Sequence, residues 1–281
     1  MHEFIADLQQ QTFLQYALLT GVLASIACGV IGSYVVTRRI TYIAGGIAHS
    51  VLAGMGAARY CQTVYKWEWL NPLYGAIAAA LIAALIIGMV SLTAKQREDT
   101  VIGAVWAIGM AVGILFIYKT PGYNEDLMSY LFGNILMVSS GDLWLITGLD
   151  VAVVAVGVLF YNQLLLVCFD QEFARLRGIR VEFYYLLLLC LTALTVVLLV
   201  TVVGIVMVIA LLTLPVAIAG RFSRSLWHMM VLSVIFTLVF TTAGIALSYG
   251  PDLPAGATTI VLAGAVYLVV IIAPRFFNML R

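Results

Sequence analysis

Two side chains in this sequence have the chemistry to hold or pass an ion inside long apolar runs. They are His49, in YIAGGIAHS from Tyr42 to Ser50, and Asp150, in WLITGLD from Trp144. An imidazole nitrogen and a carboxylate oxygen together make a donor set for a divalent cation. Counted at about 1.5 Å per residue from Ile40, His49 lies roughly 14 Å into a hydrocarbon core of about 30 Å. Counted from Leu143 on the opposite face, Asp150 lies about 11 Å deep, within roughly 5 Å of the same level. A polar group at that depth needs a partner, so each residue is a candidate ligand of a transport path, and the spacing lets the two meet. A structural reading stands beside that one. His49 could instead donate to a carbonyl of a neighbouring helix, and Asp150 could fasten helices together or sit near the headgroups if its span begins later. Gly45 and Gly46, one turn before His49, make a thin helix face that a second helix or an ion can approach.

A third group of residues has a different chemistry. Phe169 to Glu182, FDQEFARLRGIRVE, carries Asp170, Glu172, Arg175, Arg177, Arg180 and Glu182 in a chain that is 64% hydrophobic and only 10% charged. Asp170 suits a helix N-cap, Phe173, Leu176 and Ile179 recur at helical spacing, and Gly178 stands where a helix would stop. This island is expected to be a short amphipathic helix suited to a groove on a water-soluble partner. The alternative is a solvated loop between two spans.

The elements that position these groups are helices in a membrane. A mean hydropathy of +1.10 over 281 residues excludes a soluble domain. The fold class is therefore an all-α polytopic transmembrane bundle, residues 1–281 forming a single domain. Apolar runs of span length are Phe13 to Val36, Ile40 to Ala58, Leu73 to Ala94, Val101 to Tyr118, Leu143 to Val167, Leu226 to Ser248 and Ala257 to Ala273. Phe183 to Gly220 carries no charge at twice that length, so it is expected to form two helices that turn near Thr201 to Gly204, giving about eight or nine spans in all. Asp126 to Asp142 is too short for a spanning hairpin and reads as a re-entrant or interfacial helix. Gly75 to Ala80 is small enough to let helix backbones approach closely.

Arg38 and Arg39, Lys95 and Arg97, the arginines of the island, Arg221 and Arg224, and Arg275 with Arg281 fall in alternate connections, which places those connections in the cytoplasm. The N-terminus is then outside and the C-terminus inside; Lys66 and Lys119 fall on the opposite side. Fourteen Lys and Arg against thirteen Asp and Glu argue against a nucleic-acid partner. Cys28, Cys61, Cys168 and Cys190 show no CxxC spacing and read as packing residues. Acidic residues near the N-terminus, Glu3 and Asp7, disfavour a cleaved signal. Nucleotide-binding, zinc-protease and serine-hydrolase motifs are absent, so the chain is not expected to hydrolyse nucleotide itself or to act as a zinc protease or serine hydrolase.

In the order and spacing of six segments the chain resembles the permease subunits of the zinc, manganese and iron ABC importers. These are YIAGGIAHSVLAG from Tyr42, REDTVIG from Arg97, DLMSYLFGN from Asp126, CFDQEFARLRG from Cys168, LLTLPVAIA from Leu211 and DLPAGAT from Asp252. The resemblance implies a multi-pass protein of the bacterial cytoplasmic (inner) membrane, embedded in membrane lipid, that imports a divalent metal ion, zinc first, with manganese or iron as alternatives. It implies two copies of this subunit, an ATP-binding subunit that hydrolyses ATP, and an extracytoplasmic metal-binding protein. No permanently bound cofactor is implied, the metal ion being the substrate. The island becomes the coupling helix, docking through Asp170, Glu172, Phe173, Arg175, Arg177 and Gly178, and His49 matches the histidine of the metal path. One departure matters: where such permeases commonly show Gly-Asp before the histidine, this chain has Ala44-Gly45, and Asp150 is the candidate replacement. Rival readings are a permease for chelated metals such as haem, siderophores or cobalamin, and an ion-coupled secondary carrier. The carrier calls for more intramembrane carboxylates than the sequence holds.

Overall fold

The computed structural model describes residues 11–67, 69–93, 98–121, 140–251 and 253–279. The expected re-entrant segment from Asp126 lies outside them as far as Ser139. Among the described residues there are eleven helices and no strand. They are α1 (Thr12–Arg38), α2 (Thr41–Val64), α3 (Pro72–Thr93), α4 (Glu98–Lys119), α5 (Ser140–Leu159), α6 (Tyr161–Phe169), α7 (Gln171–Leu176), α8 (Val181–Val203), α9 (Ile205–Phe222), α10 (Leu226–Tyr249) and α11 (Ala255–Met279). Seven of them are long and apolar enough to cross a membrane, and α5 with α6 makes an eighth candidate as a bent pair.

Helix α2 is the instructive exception. At 24 residues it is long enough, yet it falls short of the hydropathy of the other spans because it carries His49, Ser50, Arg59 and four glycines more suited to close packing than to lipid. Its neighbours explain this: α2 packs against α3, α4, α8 and α9, and Ile43 to Leu52 are buried without interruption. A helix sheathed by other helices needs small residues more than lipid-compatible ones. At its contact with α3, a Cβ on Gly54 would run into the carbonyl oxygen of Gly75, and one on Gly75 into that of Gly54.

The long uncharged run divides where expected. Gly204 adopts φ +83° and ψ 159°, a conformation open essentially to glycine alone, and ends α8 there. The run from Leu143 to Val167, expected as one straight span, is instead bent by 70° at Phe160. No proline stands at the bend. The cause is a side chain that enters the helical ladder: the buried Tyr34 hydroxyl donates to the Gly157 carbonyl at 3.0 Å, the acceptor that an unbroken helix would offer to the Tyr161 amide. Helix α6 then lies against α1 and α8 and hands the chain to α7.

Candidate functional site

His49 projects from the buried half of α2 towards α4. Its ring stacks on Trp106 with centroids 4.2 Å apart and planes 11° from parallel. The residue is 8% exposed, and Nδ1 is shut off from solvent with no hydrogen-bond partner. The Trp106 ring is fixed in turn by Nε1, which donates to the Met110 sulfur at 3.2 Å, and by a tilted contact with Tyr42. Ser50 ties the two helices together, its hydroxyl within reach of the Gly46 carbonyl at 2.8 Å and of the Val105 carbonyl at 3.2 Å. An imidazole nitrogen without a partner in an apolar interior is costly, and a cation or a water would relieve that cost.

Gly45 lies one turn before His49 on the same face. It borders a cavity of about 500 Å³ lined also by Tyr42, Trp106, Thr213 and Tyr267. A Cβ at Gly45 would meet only ordinary contacts, Ile209 at 3.8 Å and Trp106 at 3.9 Å. The position at which the resemblance expects an acid therefore tolerates a Cβ and borders that cavity. At Gly46 the reverse holds, since a Cβ would come within 2.8 Å of the Ile102 side chain, which would have to shift.

Asp150 is buried at 3% exposure and its Oδ1 has no hydrogen-bond partner. It belongs to a different neighbourhood. Helix α5 packs on α1, α6 and α8, and the carboxyl lies in electrostatic range of Cys28 on α1. Helices α2 and α5 share no substantial interface, and no hydrogen bond or ion pair joins His49 to Asp150. The described residues contain no cluster of three or more His, Cys, Asp or Glu side chains arranged for a metal.

The island forms the expected short helix. Asp170 caps α7, its Oδ1 accepting from the Phe173 amide at 2.9 Å, and Gly178 at φ +76° follows its end. The apolar residues divide: Ala174 is buried against the body, whereas Phe169, Phe173 and Leu176 face outward, Leu176 at 86% exposure. Arg177 lies over the Phe173 ring at 5.2 Å, and Glu172 is exposed. Arg175, read from sequence as part of the free face, is already paired with Glu182 at 2.7 Å.

Sequence reasoning passed over Trp106 and Cys28. A tryptophan two turns inside a span rather than at its end was the available signal for the first; nothing in the spacing of Cys28 announced its proximity to Asp150.

The family model described as the ABC 3 transport family matches residues 10–274. An uncharacterized membrane protein of Synechocystis sp. is 42% identical over 269 residues, which cover 96% of this chain and 93% of that protein. The manganese transport system membrane protein MntC of Listeria monocytogenes is 35% identical over 274 residues, covering 97% and 95%. Among solved structures, PsaBC from Streptococcus pneumoniae in complex with Fab superposes with a TM-score of 0.84 at 31% identity, covering 96% of this chain and 94% of that one.

Proposed function

We propose that this chain, which belongs to the ABC 3 transport family, is the membrane permease subunit of an ATP-driven importer of divalent metal ions. It supplies the path, and a separate ATP-binding subunit supplies the energy. The observation that carries the reading is His49: a buried, stacked imidazole with one nitrogen unpartnered, inside a helix sheathed by four others. A path that must release its ion works with few and weak donors, and a single histidine one helical turn from a cavity-lining glycine is such a donor. Manganese is the first cargo to test and zinc the second, because the Listeria relative is named for manganese and oxygen donors completed by water suit that ion. An extracytoplasmic metal-binding protein delivers the ion, and two copies of the subunit enclose the route.

Asp150 is proposed as a second donor further along the route, acting apart from His49. Docking of the ATP-binding subunit is proposed for the outward face of α7, through Glu172, Phe173, Leu176 and Arg177, with Asp170 and Gly178 shaping the helix. The test is ATP hydrolysis and uptake by the assembled complex across manganese, zinc and iron. His49→Ala is expected to abolish uptake of the preferred ion and Asp150→Asn to reduce it, with normal amounts of assembled complex. Normal uptake by His49→Ala removes the histidine from the path. Normal uptake by Asp150→Asn removes only the second donor.

A further inference from the structure

The corner between α1 and α2 gathers positive charge that nothing described there neutralises. Arg39 sits in the left-handed region at φ +63°, which costs a non-glycine residue on the order of 1 kcal/mol. Its amide donates to the Val36 carbonyl and that of Ile40 to Val35, so the chain reverses within two residues. That reversal sets Arg38 and Arg39 at the N-terminus of α2. No side chain caps α2, so its first amide groups and the positive end of its dipole face the same corner.

The two arginines border a cavity of about 210 Å³, together with Tyr42, Ser91 and Tyr185. At about 30 Å³ per water this holds a phosphate group with some of its hydration. Ser91 and Tyr185 stand hydroxyl to hydroxyl at 3.0 Å on its wall. Arg38 lies over the Tyr185 ring at 5.7 Å, and its Nε is closed off from solvent with no hydrogen-bond partner. Among the described residues no carboxylate lines the cavity and neither arginine has an ion pair. Two guanidinium groups and an uncapped helix start, walled by the paired Ser91 and Tyr185 hydroxyls, form a recognition set for a tetrahedral anion, at the end of the spans where lipid headgroups lie.

We propose that this corner binds a phosphate group, presented by the headgroup of an anionic phospholipid or by free phosphate, and that it pins the α1–α2 turn when occupied. The full-length chain in neutral detergent is titrated with phosphatidylglycerol, phosphatidylcholine and inorganic phosphate while its thermal unfolding is followed. Stabilisation by phosphatidylglycerol but not by phosphatidylcholine or inorganic phosphate assigns the site to a lipid headgroup. Stabilisation by inorganic phosphate as well assigns it to the free anion. Arg39→Gln, an exposed position whose change leaves the Tyr185 contact in place, is expected to weaken the response about tenfold, the loss of one charge-assisted contact. The double variant Arg38→Gln, Arg39→Gln is expected to abolish it. Three results overturn the proposal: no response of the unmodified chain to either phosphate source, an equal response in Arg39→Gln, or loss of ATP-binding-subunit association in Arg39→Gln with its lipid response intact. The last assigns the arginines to a protein interface.

Discussion

Trp106 is the residue through which His49 is held, and its removal separates positioning from ligation. A stacked aromatic pair contributes about 0.5–1.5 kcal/mol beyond its buried area. Trp106→Ala is therefore expected to raise the metal concentration for half-maximal ATPase stimulation several-fold, and Trp106→Phe, which keeps a ring beneath the imidazole, to restore most of the loss. Equal behaviour of the two variants would show that the stack does not orient the histidine. Gly45 offers the complementary experiment, because a Cβ there meets only ordinary contacts and the residue borders a cavity. Gly45→Asp is expected to fold normally and to tighten metal retention roughly tenfold, or about 1.4 kcal/mol, while slowing release. Metal co-purifying with the variant measures the first effect and uptake the second. If neither changes, the face of α2 that bears Gly45 and His49 does not meet the ion.

Helices carry the second set of consequences. Tyr34→Phe leaves the Gly157 carbonyl buried without its donor, which costs about 1–3 kcal/mol, and it removes the contact that holds the α5–α6 bend. Lowered thermal stability with weakened coupling is expected, since α6 leads directly into α7; unchanged stability would place the cause of the bend elsewhere. On α7 the two kinds of contact separate cleanly. The Arg175–Glu182 pair is more than half exposed on both sides, so Arg175→Ala is expected to change stability by less than about 1 kcal/mol. Glu172→Arg and Leu176→Asp, which alter the outward face, are expected to release the ATP-binding subunit or uncouple hydrolysis, as interfacial mismatches cost several kcal/mol. Normal transport by both would remove α7 from the interface. Most helices were legible in the sequence because a lipid-facing span must be uniformly apolar, and Gly204 marked its own break. The bend at Phe160 was not legible, because its cause is a tyrosine more than a hundred residues earlier. The Trp106 stack and the separation of His49 from Asp150 were hidden for the same reason: both depend on which helices become neighbours, and hydropathy does not encode that.

For the molecule as a whole, the placement of its basic ends predicts an orientation in the membrane. Arg38 closes α1 and Arg221 lies in the last turn of α9, whereas the opposite ends of the bundle show Tyr65, Trp67 and Trp69 in ring contact after α2. Arginines gathered at one end are what an inward-facing basic surface requires, whereas tryptophan and tyrosine belts occur at both interfaces and mark only a membrane boundary. Lys66 and Lys119 oppose this arrangement but are two against a much larger set. Removing Cys28, Cys61, Cys168 and Cys190 gives a background in which single cysteines report sidedness, and the buried positions of Cys28 and Cys168 recommend small apolar replacements there. An impermeant thiol reagent applied to intact cells is expected to label cysteines at Trp69 and Pro251 and to spare those at Arg224 and Leu176. The same reagent applied to inverted vesicles should reverse the pattern. Leu176 is the informative member, because its exposure in the isolated subunit is nearly complete. If α7 is the docking face, labelling at Leu176 in inverted vesicles falls when the ATP-binding subunit is co-expressed, while labelling at Arg224 does not fall to the same degree. Labelling of Leu176 from outside would invert the topology, and with it the assignment of α7 to an ATP-driven partner.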